Sequence, residues 1–389
     1  MPRVLRIINR FNLGGPIYNA SYLTAFMAPE FETVLIGGPP LPDESHSGFI
    51  PQNLGIEIVE IAEMSRSINP INDLKAWMRI RKIIREFKPD IVHTHASKAG
   101  ALGRTAAIFC GVPHIVHTYH GHVFSGYFSP IKSQIVQTLE KILCRRSHAI
   151  ITISKKQYHE IVEEFKICNH KKAHIIPLGL DLNRFSLNQE TKRIEFRQKY
   201  KIANHQIAIG IIGRLVPIKN HRLFVEAICL AQNISQVEIV PVIIGDGNDK
   251  DNLVELFNQI QTEKKSKAIF TSWIKDVDTA LPGLDIVALT SLNEGTPVSL
   301  IEAQAASRPV ITTNVGGVSD CLLDGQSGII INDFEVETFA SGLLKLANDE
   351  DLRTKMGEIG KQFVNQKFNY SRLIDDMIKL YLSLLNQAK

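Results

Sequence analysis

The sequence predicts an α/β protein made of two Rossmann-like, doubly wound domains that face each other across a cleft. Short apolar runs alternate with helical stretches, which is typical of a parallel sheet covered by helices. The alternation pauses in a looser segment, residues 181–190, and then restarts. A chain of 389 residues with 44% hydrophobic content is long enough for two such cores. Ligands of these sheets bind beyond the carboxyl ends of the strands, so facing domains would hold them in the cleft.

Eleven apolar runs predict buried strands. In the first domain, residues 1–180, the predicted strands are residues 4–8, 33–36, 90–93, 114–118, 149–153 and 174–177. In the second domain, residues 191–369, they are residues 207–212, 238–244, 268–270, 285–289 and 309–312. Apolar residues at helical spacing then predict a final amphipathic helix within residues 370–389.

Composition limits the function classes. No apolar run is long enough to cross a bilayer, and residues 4–9 fit a strand better than a signal peptide, so we expect a cytoplasmic protein. The five cysteines are widely spaced, which argues against a disulfide framework or a zinc knuckle. A pI near 8.7 is too mild to indicate nucleic acid. Residues 1–180 contain 21 Lys and Arg against 14 Asp and Glu, which favours an anionic membrane surface or a phosphorylated acceptor.

The most informative stretch is Asn-Glu-Gly-Thr-Pro-Val-Ser-Leu-Ile-Glu at residues 293–302, which directly follows a predicted strand. We expect Thr296 to cap a helix whose first residue is Pro297. Unpaired backbone N–H groups near Gly295 would then hold a diphosphate. Glu294 in the loop and Glu302 in the helix would accept hydrogen bonds from sugar and ribose hydroxyls. The simpler alternative is a pair of surface glutamates.

This stretch resembles the Glu-x7-Glu signature of the retaining glycosyltransferases of glycosyltransferase family 4, and residues 303–317 continue the resemblance. The similarity extends over nearly the whole chain. It implies the GT-B architecture, with the acceptor bound by the first domain, the nucleotide sugar bound by the second, and the last helix crossing back to the first. It also implies that Glu294 contacts the donor sugar and Glu302 its ribose.

Two cations in the second domain support this interpretation. Arg214 and Lys219 follow the strand at residues 207–212, and both can neutralise charge on a departing diphosphate without a metal ion. They match the family's Gly-Arg-Leu and Lys pattern and inherit that role by resemblance. Two Asp-x-Asp segments, residues 249–251 and 276–278, lie where helices start, so helix N-terminal charge explains them better than metal binding.

Two further loops are assigned to the donor. Gly245 ends a predicted strand, where glycine allows close approach of the backbone to a ligand. Trp273 lies in a segment that resembles the family's base-binding loop, although Ser272 stands where glycine is more usual. In the first domain, Gly14 and Gly15 follow the first strand, and the resemblance places them beside the donor diphosphate or the acceptor. A plain tight turn is the alternative for these two glycines. The Gly-x-Gly-x-x-Gly fingerprint of dehydrogenases is absent.

The first domain also carries acceptor and catalytic candidates. The segments at residues 91–104 and 117–124 resemble a bacterial surface-polysaccharide subset of the family. Ser97 and Lys98 would open a helix facing an acceptor diphosphate, with Arg104 a second contact, or Lys98 is simply an exposed lysine. The resemblance makes His120 the catalytic histidine near the donor sugar.

His93 and His95 would brace the same site as His120. A metal cluster of His117, His120 and His122 is the less favoured alternative, and we expect neither a metal nor a cofactor.

A basic amphipathic helix is predicted around residues 74–88. Its apolar stripe consists of Leu74, Trp77, Ile80, Ile84 and Phe87. The helix would either rest on an anionic membrane or, as we prefer, pack on the sheet with a solvated basic face.

The sequence therefore predicts a retaining, metal-independent glycosyltransferase of polysaccharide biosynthesis. It would move a hexosyl or N-acetylhexosaminyl group from a nucleotide diphosphate, with UDP favoured over GDP, to a glycan or a polyprenyl-diphosphate-linked saccharide. Retention of stereochemistry comes from the resemblance only. A sugar-nucleotide epimerase of the same architecture and a non-catalytic glycan-binding scaffold are the alternatives.

Overall fold

The chain forms two compact units in a computed structural model. The first unit comprises Met1–Leu180 and Phe368–Lys389, and the second comprises Asp181–Lys367. The structure describes residues 1–12, 15–40, 47–65, 69–121, 130–262 and 265–387.

The first unit is built on a seven-stranded parallel sheet. Its strands are β1 (Arg3–Arg10), β2 (Glu32–Gly38), β3 (Ile58–Glu60), β4 (Ile91–His95), β5 (His114–Tyr119), β6 (Ala149–Thr152) and β7 (Ala173–Ile175), in the spatial order β3-β2-β1-β4-β5-β6-β7. The helices of this unit that precede β7 in the chain are α1 (Gly15–Ala25), α2 (Phe49–Asn53), α3 (Pro70–Phe87), α4 (Ser97–Phe109), α5 (Pro130–Arg146) and α6 (Lys155–His159). The strand order reverses between β1 and β4, which is where ligands of such sheets bind.

Alternate strand residues face two separate cores. Leu5, Ile7 and Val92 pack with the inner faces of α3 and α4, whereas Val4, Ile91 and Val116 pack on the opposite face of the sheet. A period of two is expected for strands covered on both faces, and it places α3 and α4 in one layer.

The second unit has a six-stranded parallel sheet. Its strands are β8 (Ile207–Ile212), β9 (Ile239–Ile244), β10 (Ile269–Ser272), β11 (Ile286–Leu289), β12 (Val310–Thr313) and β13 (Gly328–Ile331), in the order β10-β9-β8-β11-β12-β13. Its helices are α7 (Gln189–Tyr200), α8 (His221–Ile234), α9 (Lys250–Ile260), α10 (Val277–Ala280), α11 (Val298–Ala305), α12 (Val336–Asn348) and α13 (Glu350–Phe368). Here the order reverses between β8 and β11.

The predicted α/β fold class is confirmed, and two strands were missed. β3 has three partly exposed residues at one sheet edge, and β13 has four residues at an edge of the other sheet. Runs this short carry too little apolar pattern to be recognised without their neighbours.

The last helix, α14 (Tyr370–Gln387), belongs to the first unit. Its apolar stripe is buried against that unit: Leu373, Met377, Leu380, Tyr381 and Leu384. Leu180 anchors the start of this helix, because its N–H donates to the Phe368 carbonyl at 2.8 Å and its carbonyl accepts from Tyr370 at 3.1 Å.

Helix α3 packs on the sheet through Ala76, Ile80 and Ile84. Leu74, which the sequence placed on the apolar stripe, is 57% exposed, so that assignment is wrong. Among the described residues, no helix is both long and apolar enough to span a membrane.

Candidate active site

Two of the predicted donor residues meet at the point where the second sheet reverses its order. Lys219 follows β8 and Glu294 follows β11, and Lys219 Nζ lies 2.5 Å from Glu294 Oε1. Ser291 Oγ donates to the same carboxylate oxygen at 2.6 Å. The two loops are also tied through their backbones, because the Leu292 N–H donates to the Ile218 carbonyl at 2.9 Å. A charge-assisted, partly buried pair holds both side chains in a fixed geometry.

Arg214 lies on the same loop as Lys219 but is exposed. Within the described parts of the chain it has no ion-pair partner. It is therefore free to meet an anionic ligand, as expected for a residue assigned to a diphosphate.

Two adjacent glycines, Gly316 and Gly317, contact the backbone of Glu294. The Gly317 N–H donates to the Glu294 carbonyl at 3.1 Å. Gly316 has a φ of +58°, and a Cβ atom there would stand 1.6 Å from that carbonyl oxygen. Glycine is thus required both for the left-handed backbone and for the close approach. These two adjacent glycines, which follow a strand within residues 303–317, are the sequence signal for this support, and their role was not predicted.

The start of α11 differs from the prediction. The helix begins at Val298, and Pro297 occupies the N-cap position instead of the first helical position. Thr296 is not the cap, and its buried Oγ1 has no hydrogen-bond partner among the described residues. A proline at the cap has no side-chain acceptor for the first N–H groups, which leaves that end of the helix uncapped by side chains.

Glu302 is a mostly buried glutamate on α11. Burial raises its pKa to about 7, and Asp278 adds to the effect while Arg184 opposes it. Arg184 Nη2 lies 3.6 Å from Glu302 Oε1, and the Glu302 side chain is 17% exposed. Arg184 lies in the predicted linker, so sequence reasoning did not connect it with the site.

The loops after β9 and β10 carry Gly245 and Trp273, two further residues predicted to bind the donor. Gly245 has a φ of +149°, and a Cβ atom there would stand 1.8 Å from the Gly213 carbonyl oxygen, so only glycine fits. Ser272, the departure from the expected glycine, has a φ of +57°. Its hydroxyl accepts a hydrogen bond from Lys250 Nζ at 2.8 Å. Trp273 is 59% exposed, so it is available as a stacking surface and does not belong to the core.

In the first unit, three histidines form a chain that ends at His120. His93 Nδ1 lies 2.6 Å from Tyr381 Oη, the His93 and His95 rings lie 4.2 Å apart, and His95 Nδ1 lies 2.9 Å from His120 Nε2. Burial lowers the pKa of His120 to about 4 and that of His93 and His95 well below the ordinary value. His120 is therefore neutral at pH 7 and can hydrogen-bond a sugar hydroxyl.

His117 faces a different partner. Its Nδ1 lies 2.8 Å from Thr94 Oγ1, and its ring packs against Gly100, where a Cβ atom would be 2.5 Å from His117 Cε1. His122, the third member of the alternative metal cluster, lies outside the described residues. Among those that are described, no group of three His, Cys, Asp or Glu side chains is arranged to hold a metal ion.

The predicted acceptor residues differ in burial: Lys98 is partly exposed, whereas Arg104 is fully buried. Helix α4 begins at Ser97, as predicted, and Lys98 Nζ lies 2.6 Å from Asp73 Oδ1 with about a sixth of its side chain exposed. Arg104 is 0% exposed, and its guanidinium donates to Glu140 at 2.6 Å and to the Gly100 carbonyl at 2.9 Å. This corrects the expectation for Arg104, because a fully buried, paired guanidinium does not reach an acceptor.

The glycines after β1 are only partly described. Gly14 lies outside the described residues. Gly15 opens α1, and a Cβ atom there would make ordinary contact with Leu178 at 3.6 Å.

The sequences of both units are similar to those of known proteins. The family model Glycosyl transferases group 1 matches residues 192–363, and Glycosyltransferase Family 4 matches residues 31–184. The UDP-Gal:alpha-D-GlcNAc-diphosphoundecaprenol alpha-1,3-galactosyltransferase of Escherichia coli is 28% identical over 84% of this chain and 83% of the relative. The capsular polysaccharide biosynthesis glycosyltransferase CapM of Staphylococcus aureus is 25% identical over 86% and 87%. The chain therefore belongs to glycosyltransferase family 4.

Solved structures agree on the fold. A glycosyltransferase from Rickettsia africae has a TM-score of 0.81 at 18% identity and covers 99% of this chain and 98% of its own. Anabaena Alr3699/HepE in complex with UDP and glucose has a TM-score of 0.78 at 16% identity, with 98% and 100% covered. The protein has the GT-B fold of these enzymes.

Proposed function

We propose that the protein is a retaining, metal-independent transferase that moves a sugar from a UDP-sugar to a polyprenyl-diphosphate-linked saccharide in polysaccharide biosynthesis. The contact between Lys219 and Glu294 carries the proposal, because it joins a cation for a diphosphate and a carboxylate for sugar hydroxyls at one sheet reversal. The E. coli relative, whose name gives a UDP-galactose donor and a diphosphoundecaprenol acceptor, supports both substrates.

We assign the donor to the second unit. Arg214 and Lys219 would stabilise the departing diphosphate, Glu294 would orient the sugar, Glu302 would bind the ribose and Trp273 would lie beside the base. The N–H groups of Gly295, Thr296 and Val298 would add to the anion site. In the reaction, the bond between the sugar C1 and the diphosphate oxygen breaks as a bond from C1 to the acceptor oxygen forms on the same face. The acceptor hydroxyl proton passes to the leaving diphosphate. Because the acceptor oxygen attacks C1 directly, we assign no enzymic nucleophile.

We assign the acceptor to the first unit. The amino end of α4, with Ser97 and Lys98, is the proposed contact for the acceptor diphosphate, and Asp73 holds Lys98 in position until then. His120 is the proposed contact to the donor sugar. Acceptors of this class are embedded in a bilayer, so we place the protein at the inner face of the cytoplasmic membrane, held peripherally.

The experiment is a transfer assay with UDP-galactose, UDP-glucose and UDP-N-acetylglucosamine, a short-chain lipid-diphosphate N-acetylglucosamine acceptor and excess EDTA. We expect an α-linked product from one of these donors, and a loss of about 10²-fold or more in kcat for Glu294→Gln. Glu358→Gln on the exposed face of α13 is the matched control and should keep wild-type activity. Full activity of Glu294→Gln, or product formed without acceptor, would overturn the proposal.

A further inference from the structure

The outward face of α5 carries a continuous apolar stripe. Its exposed side chains are Ile131 (74%), Ile135 (63%), Leu139 (43%) and Ile142 (53%). At 100° per residue they fall within an arc of roughly 80°, along about 16 Å of helix. The opposite side of α5, with Leu143 and Cys144, is buried. Scattered single exposed apolar residues are ordinary, but four in line on one helix mark an interaction surface.

The charges on α5 indicate what this surface meets. The only acidic residue of the helix, Glu140, points inward and is held by Arg104 Nη2 at 2.6 Å and by Tyr119 Oη at 2.6 Å. Arg145 and Arg146, at the end of the helix, are exposed. The outward side thus combines large apolar side chains with positive charge and no negative charge, which is complementary to a bilayer containing anionic lipids.

A second exposed apolar group lies in the same layer of helices. Ile71 and Leu74 on α3 are 68% and 57% exposed. Helices α3 and α5 both contact α4, which packs on the face of the sheet formed by Leu5, Ile7 and Val92. The layer therefore has two outward apolar patches. Helix α3 also carries an exposed acidic residue, Glu86, 3.8 Å from Lys82, whereas α5 has no exposed acidic side chain.

We propose that the outward face of α5 is the membrane-docking surface of this protein and inserts its apolar stripe into the interface of an anionic bilayer. This inference rests on the proposed function only in assuming a membrane-embedded acceptor. Helix α5 directly precedes β6, so docking through it would hold the first unit, to which the acceptor is assigned, at the lipid surface.

The test is flotation of the full-length protein with vesicles of phosphatidylcholine alone or mixed with phosphatidylglycerol. We expect binding to the anionic vesicles, and a loss of at least tenfold in the variant Ile135→Asp with Leu139→Asp. Both positions are exposed, so the melting temperature should change little. Ile234→Asp, at a 61% exposed isoleucine of the second unit, is the matched control and should bind as the wild type does. Arg145→Ser should weaken binding by about fivefold, since one basic residue near such a surface contributes about 1 kcal/mol.

Three outcomes would overturn the proposal. The first is wild-type vesicle binding by the α5 variant, and the second is loss of binding only in Ile71→Asp with Leu74→Asp, which would assign the contact to α3. The third is a dimer in light scattering that the α5 variant dissociates, which would assign the stripe to a second copy. Transfer to a water-soluble acceptor should be unchanged in the α5 variant, so a failure of docking remains distinct from a failure of the proposed function.

Discussion

At the scale of single residues, burial controls ionisation in the candidate site. His120 is kept neutral by burial, and the neighbouring histidines and the buried cation Arg6 make a further positive charge unfavourable at His93 and His95. Glu302 shows the same physics with opposite sign, because burial disfavours its anion and raises its pKa to about 7. Both groups are thus less charged than exposed residues of their types would be.

The raised pKa of Glu302 makes donor binding depend on pH. Under the proposed assignment, ribose hydroxyls donate to this carboxylate, so a UDP-sugar should bind the ionised form better, lower the pKa and release a proton near pH 6. Affinity should therefore fall as pH decreases below about 7. Calorimetry with a UDP-sugar, whose diphosphate diester has no group that titrates near pH 6, in two buffers of different ionisation enthalpy measures the release, and Glu302→Gln should abolish it. An unchanged release in that variant would assign the titration to another group.

The raised pKa of Glu302 also makes the free energy of unfolding depend on pH. The sign is opposite to that of a salt-bridged acid, whose pKa is lowered in the folded state. Since the folded-state pKa of Glu302 lies above the ordinary value of 4.5, the folded protein binds the extra proton between about pH 4.5 and 7. The contribution of Glu302 to the free energy of unfolding is therefore most favourable below this window and declines as the pH rises through it.

At the scale of elements, loops after parallel strands position the charged side chains. Glu294 is fixed from one side by Lys219 and Ser291 and from the other by the Gly316 turn. The carboxylate is consequently held before any ligand binds, and small changes in the supporting loop should be felt at the site.

Substituting Gly316 tests this support. Gly316→Ala adds a Cβ atom 1.6 Å from the Glu294 carbonyl oxygen, so the Glu294 loop must move. Gly325→Ala is a matched control, since Gly325 also has a positive φ, +70°, but has nothing within 4 Å of the new atom. Gly325→Ala should lose about 1–2 kcal/mol of stability from backbone strain, and Gly316→Ala should lose more because its Cβ atom also clashes with the Glu294 carbonyl oxygen. Only Gly316→Ala should also lose at least tenfold in transfer activity, and equal activities would show that the turn does not position Glu294.

At the scale of the whole molecule, the first unit is completed by the end of the chain. Helix α14 covers Val4, Ile91, Val116 and Ile151 on one face of the first sheet, and Tyr381 also contacts the buried His93. The first 180 residues therefore do not contain all of their own core, and the stability of this unit depends on a segment more than 180 residues away in sequence.

Truncating a core residue of α14 measures this dependence. Leu373 is 1% exposed, and Leu373→Ala should lower the free energy of unfolding of the first unit by about 2–5 kcal/mol. Leu382 is 44% exposed on the same helix, and Leu382→Ala should change it by less than about 0.5 kcal/mol. Chemical denaturation followed by tryptophan fluorescence is suitable, because Trp77 and Trp273 lie in different units. Equal effects of the two variants would contradict the packing of α14 described above.

Much of the fold and part of the site follow from sequence patterns that are local. Buried parallel strands are short apolar runs, and the polar residues that end them must lie at one edge of a sheet, which is why Lys219 and Glu294 were predicted and are found together. The same logic located the start of α4 at Ser97. The predicted N-cap of α11, Thr296, is wrong by one residue, because a helix can begin one residue later without changing the local pattern.

What the sequence by itself determined was the class of fold, the family and the loops that carry charge, since all three depend on residue type and spacing along the chain. Tertiary structure alone decided which charges are free. Arg104 and Arg214 were both predicted to bind an anionic ligand, yet Arg104 is buried against Glu140 and Arg214 is exposed on the loop that also carries Lys219. It also decided that the apolar face of α5 remains uncovered, because burial depends on contacts between elements that are distant in the chain.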